Sequence, residues 1–199
     1  MGAGSLPVTD QGLFPAEHRA LRELYAFTRA LGGHWGRLAE HLDPAPDVLE
    51  RGVAASKELL AELAARTAAH GLHGVPAATG AGVWTSRLRG AGDLMLERNQ
   101  VLRSAVLDAQ HVLTLLAYLR TLAARRDDAA LAGWLGGWET RLAALRDDIH
   151  AAAIAEADDP EQAVQPYDGS RLGRAGHKLQ VSLGTLGEAF DSRAAKRRG

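Results

Sequence analysis

The stretch Leu94–Arg126, LMLERNQVLRSAVLDAQHVLTLLAYLRTLAARR, decides the fold. At about 100° per residue, Leu94, Val101, Ala105, Val112, Leu116, Leu119 and Ala123 fall on one side of a helix. Leu107, Leu115, Tyr118 and Leu122 widen that side well past a half-turn. A helix so broadly apolar belongs in the middle of a bundle, covered from several directions. Its start is expected between Ser86 and Asp93 and its end at about Arg126. Asp127-Asp128 then supply turn and cap chemistry. A following helix reaches about Ala157, with Leu131, Leu135, Trp138, Leu142, Leu145, Ile149 and Ala152 as its seam. The short turn makes these two helices an antiparallel hairpin.

Three more helices extend the pattern outward. One runs from about Pro15 to Leu42, with Leu21, Leu24, Thr28, Leu31, Trp35, Leu38 and Leu42 at spacings of three and four. Asp43-Pro44-Ala45-Pro46 ends it, and Gly32-Gly33 marks a kink or a split. A second begins at Pro46-Asp47 and carries Leu49, Val53, Leu60 and Leu63 toward Ala69, stopping at His70-Gly71. Residues 71–92 are read as a glycine-rich loop, a plain connector with its few apolar residues on the core or, given its length, a functional or mobile segment. After Asp158-Asp159-Pro160, a polar linker leads through Gly169 to a last helix, about Arg171 to Phe190. Gly184 and Gly187 lie well inside that helix, on a small edge suited to close helix approach. The expected fold is all-α, a bundle of about five helices around a long central helix. Residues 1–14 are read as a flexible N-terminal segment, 15–191 as a single domain and 192–199 as a basic tail.

Composition agrees with this class. Alanine occurs 38 times and leucine 30 times, against 12 valines and isoleucines together, so strand formers are scarce. The absence of cysteine among 199 residues removes disulfides, thiolate nucleophiles and thiolate metal sites. A net charge of -1 gives no electrostatic case for a general nucleic-acid binder. No apolar run is long enough to span a bilayer, and no cationic region precedes an apolar one at the start, so a cytoplasmic protein is expected. Charge is nonetheless uneven. Residues 127–161 hold nine acids against two bases, and residues from 171 onward hold seven bases against two acids. Opposite ends of that kind attract within or between subunits.

Histidine and carboxylate spacing supplies the candidate chemistry. Asp108-x-x-His111 and Asp147-x-x-His150 each place an acid and an imidazole on one helical face. Asp147 points away from the seam of its helix, so a paired two-metal site does not assemble from the simplest packing. Glu97, Ser104, Asp108 and His111 remain as a polar string on the central helix, while His34 and His41 share a strip with Glu23 on the first. Side-by-side packing of those helices brings His34 or His41 to Asp108 and His111, a set suited to iron, manganese or zinc. The competing expectation is a buried hydrogen-bond network with Arg98 or Tyr118 as partner, holding no cofactor.

Other catalytic patterns are incomplete. Gly80-x-Gly82 lacks a preceding strand and a phosphate-loop lysine, and Ser86, Ser104 and Ser182 lack a nucleophile elbow. Trp134 and Trp138 are expected in or beside the core, and beside an acidic surface they are also candidate interface anchors together with Gly184 and Gly187. The leading expectation is therefore a non-enzymatic assembly or adaptor protein, homo-oligomeric and joined to a further protein partner. The alternative is a metal-binding or small-ligand-binding bundle using His34, His41, Glu97, Asp108 and His111.

Overall fold

The computed structural model describes residues 12–72 and 96–170. Four long helices dominate: α1 Pro15–His41, α2 Val48–Thr67, α3 Arg98–Arg125 and α4 Ala129–Ala155. A short α5, Pro160–Ala163, follows, and 3-10 turns cover Ala68–His70 and Glu156–Asp158. Among the described residues the one β-type contact is an isolated bridge between Glu97 and Pro166. No helix among them is long and apolar enough to cross a membrane.

Local chemistry explains the helix ends. Pro15 opens α1, and the Glu17 carboxylate reaches back to accept the Phe14 N–H at 3.3 Å. Asp128 caps α4 by accepting the Leu131 N–H at 2.9 Å. Asp127 makes the turn before it in the left-handed region, at φ 60°. The Gly32-Gly33 pair does not split α1, which is continuous to His41. Gly32 instead lets α2 come close, since a Cβ there would lie 2.9 Å from the Ser56 Cβ. Gly52 does the same from the other side, because a Cβ at 52 would overlap the Trp35 ring.

Cross-helix contacts set the arrangement. Tyr25 donates to the Leu60 carbonyl while Trp35 covers Gly52, so α1 and α2 are antiparallel. Glu17–Arg126 at one end and His34–Asp108 farther along make α1 and α3 antiparallel as well. Arg120–Glu139 and Arg146–Gln110 align α3 with α4, and Arg51–Asp148 and Arg141–Glu58 align α2 with α4. The result is a square in which each long helix is antiparallel to both neighbours, with leucines of all four filling the centre. The end of α2 and the start of α3 consequently lie at opposite poles.

Three expectations need correction. The central helix starts at Arg98, after an extended Glu97 that forms a capping box with Gln100, rather than between 86 and 93. Residues 96–98 pair instead with the chain after α5: the Arg98 N–H donates to the Gln165 carbonyl and the Tyr167 N–H to Leu96. The supposed polar linker thus contains α5 and the buried Tyr167 and Asp168. Finally, among the described residues α3 occupies a corner of the square, and these do not cover it all round. Leu115 is buried, but Leu107 and Tyr118 are 69% and 47% exposed, because the neighbours on either side leave the outer face open. The last helix with Gly184 and Gly187, the basic tail, Leu94 and most of the glycine-rich loop lie outside the described residues.

Candidate functional site

The α1–α3 contact brings together the histidine and carboxylate that the two polar strips aligned. His34 and Asp108 meet between α1 and α3, His34 Nδ1 lying 2.5 Å from Asp108 Oδ2, and both are buried. An imidazole–carboxylate contact this short in a low-dielectric setting fixes both side chains and the spacing of their helices. Beside it opens a cleft of about 350 Å³, lined by Phe27 and Ala30 of α1 and by Leu107, Asp108, Gln110, His111 and Thr114 of α3. The Phe27 and His111 rings lie against each other with centroids 4.0 Å apart. Thr114 Oγ1 donates to the Gln110 carbonyl, and Gln110 Oε1 accepts from Arg146. Among the described residues that line the cleft, Asp108 is the one carboxyl side chain.

The wider histidine–carboxylate set does not converge. His41 lies two turns beyond His34 and is exposed, its ring edge-on to Tyr167 at 6.2 Å. Glu97 precedes the first turn of α3, so helical angles do not carry it onto the Asp108 face; it accepts from Asn99 Nδ2 at 3.1 Å. Among the described residues no group of three His, Asp or Glu side chains is placed to hold a metal ion. Asp147 is exposed as its angle requires, paired with neighbouring Arg146, and His150 is exposed too.

Neither expected partner joins the Asp108 network. Tyr118 faces outward. Arg98 is buried at the pole instead, with Nε 2.8 Å from both Glu156 oxygens. Its terminal nitrogens donate to the carbonyls of Asp43 and Pro44. One guanidinium therefore ties the start of α3 to the end of α4 and to the α1–α2 connection. At the opposite pole, Glu17, fully buried, pairs with Arg126, whose guanidinium also reaches Asp128.

The tryptophans organise the α2–α4 edge. Trp134 and Trp138 both donate their indole N–H to Glu62 Oε2, at 2.6 and 3.0 Å. The Trp134 bond first, then the Trp138 bond, hold the Glu62 carboxyl below the usual carboxylate range. Arg66 lies over the Trp134 ring at 5.0 Å and Arg141 over Trp138 at 4.6 Å, with Arg141 also bound to Glu58. Trp138 is buried and Trp134 half-buried. Sequence reasoning singled out the tryptophans but missed Glu62. The spacing of Glu58, Glu62 and Arg66 by fours on α2 was the available signal.

Among the described residues, two of the four exposed large hydrophobic side chains, Leu107 and Tyr118, lie on the outer face of α3. Leu107, His111, Thr114 and Tyr118, all exposed, recur at spacings of four, three and four along it. Ile154 and Val164 are also large and exposed, but they lie near the far end of α4 and after α5, away from any described cleft. No protein-family model, curated protein or solved structure matches this chain.

Proposed function

We propose that the protein is a cytoplasmic, non-enzymatic helical-bundle assembly or adaptor protein, acting through the outer face of α3 and the Phe27 side of α1. The observation that carries this reading is the 69% exposure of Leu107 beside the cleft, with Tyr118 open on the same face. Leu107 and Tyr118, about three turns apart on one face, leave large apolar side chains open on an otherwise well-buried bundle, and exposure of that kind supports a contact role. The described residues offer helices for that contact, and none of those lining the cleft is a nucleophile paired with a base. A photo-reactive benzophenone residue at position 107, irradiated in cells, tests the reading. It predicts discrete protein adducts that a Tyr118→Glu change on the same face removes; irradiation without adducts contradicts it.

A second reading is favoured by the His34–Asp108 pair on the cleft: a small ligand or a metal ion held between α1 and α3. Elemental analysis of the tag-free protein after growth with iron, manganese and zinc decides its metal form. Near-stoichiometric metal lost in Asp108→Ala supports it, and background metal leaves the pair as a structural link.

A further inference from the structure

The cleft between α1 and α3 sets one acid into a wall without fixed cations. Asp108 carries the one carboxyl group among its lining residues, and none of them is lysine or arginine. Asp108 is 9% exposed and its Oδ2 meets His34 Nδ1, so its position is fixed before any ligand arrives. A carboxylate accepts as many as about four hydrogen bonds, so the His34 contact alone does not saturate it.

The remaining wall is mostly apolar or aromatic. Phe27, Ala30 and Leu107 line it, and the His111 ring lies against Phe27. Its volume of about 350 Å³ falls at the lower end of the range that holds small ligands, roughly 300–1,000 Å³. Apolar walls around one fixed charge suit a ligand of the opposite charge on an apolar body. Aromatic ring faces attract cations as well. Among the described residues, arginines flanking this wall have acceptors elsewhere. Arg103 folds back along α3 to Asn99, Arg37 donates to the Gly33 carbonyl, and Arg146, bonded to Gln110, is paired with Asp147.

We propose that the cleft binds a small organic ammonium ion, its N–H groups on the Asp108 carboxylate and its apolar body against Phe27, Ala30 and Leu107. This rests on the reading of the α1–α3 cleft as a small-ligand site and names the ligand's chemical class. An ammonium needs one carboxylate and apolar walls. A metal ion needs several ligand groups, and no group of three His, Asp or Glu side chains is placed to supply them among the described residues.

Nuclear magnetic resonance titration of the full-length protein with phenethylammonium tests this, beside neutral phenethyl alcohol and anionic phenylacetate of similar shape. At about pH 8 ordinary imidazoles are neutral, which leaves Asp108 as the formal charge on the wall. The ammonium should give saturable amide shifts centred on residues 27–34 and 107–114, binding at least about tenfold tighter than the alcohol. Asp108→Asn keeps an acceptor for His34 and should erase that preference. Ala30→Phe leaves the pair intact and fills the cleft, so it should abolish binding with an unchanged helical signal, whatever the stability of the Asn variant. Ammonium binding that survives Ala30→Phe overturns the proposal. Saturable binding of the alcohol or phenylacetate at the same residues, with no preference for the ammonium, overturns the cation and leaves the small-ligand reading standing. No saturable shift from any of the three probes overturns the small-ligand reading with it.

Discussion

His34 and Asp108 link α1 to α3 through one contact, Nδ1 to Oδ2 at 2.5 Å, with both side chains withdrawn from solvent. Removing one member leaves the other buried without its charged neighbour, the costly half of a buried pair. Asp108→Ala is expected to lower unfolding free energy by about 3 kcal/mol, measured by urea denaturation followed by far-ultraviolet circular dichroism. His111→Ala, at an exposed position, should cost well under half of that. Equal effects would contradict the assignment of the inter-helix link to the 34–108 pair.

Glycine packing gives a second expectation. Gly52→Ala drives a methyl into the Trp35 ring, which is itself buried and unable to move aside. A loss of about 2 kcal/mol or more follows from overpacking. Gly133→Ala, in the interior of α4 with nothing within 4 Å of a Cβ, should stabilise by about 0.5–1 kcal/mol through helix propensity. Thermal melts of the two variants should therefore move in opposite directions.

Arg98 closes one pole with a forked set of bonds that lysine cannot reproduce. Arg98→Ala leaves Glu156 and two carbonyls short of their donor, and a loss of about 3–5 kcal/mol is expected. Arg98→Lys should recover only a minor part. Full recovery in a denaturation curve would show that charge alone, rather than the fork, holds this end.

The Glu62 carboxyl lies below its ordinary range because the indole N–H groups of Trp134 and then Trp138 favour its charged form. A depressed folded-state pKa contributes stability above the unfolded value of about 4.3, and that contribution disappears as pH falls through the folded value. Stability curves of wild type and Glu62→Gln should differ at neutral pH and draw together as pH falls from about 4.3 through the lower folded value. A gap that persists at pH 2 would mean that packing, not ionisation, accounts for it.

Much of the bundle was legible because helical faces repeat. The seam from Leu131 to Ile149 and the stripe from Leu21 to Leu42 are buried as their spacings require. The meeting of His34 with Asp108 was legible too, since both strips lie on the flanks that face each other when α1 and α3 pack side by side. What periodicity could not convey was pairing over distance. Arg98 with Glu156 and Glu17 with Arg126 each join residues more than fifty positions apart with no local spacing signal, and the spacing of Glu62 with Glu58 and Arg66 did not name the two tryptophans it meets on α4. Angular counting also failed at Glu97, because the helix had not yet begun there, and it could not tell which part of a broad apolar arc would lack a neighbour. Leu107 and Tyr118 fall in that part.

Sedimentation equilibrium of the full-length protein, wild type beside Leu107→Glu, tests the assembly reading most directly. Wild type is predicted to shift from monomer toward dimer as concentration rises, while the variant stays monomeric with an unchanged helical signal. A wild-type protein that remains monomeric throughout, or a variant that associates equally well, would contradict self-association through the outer face of α3.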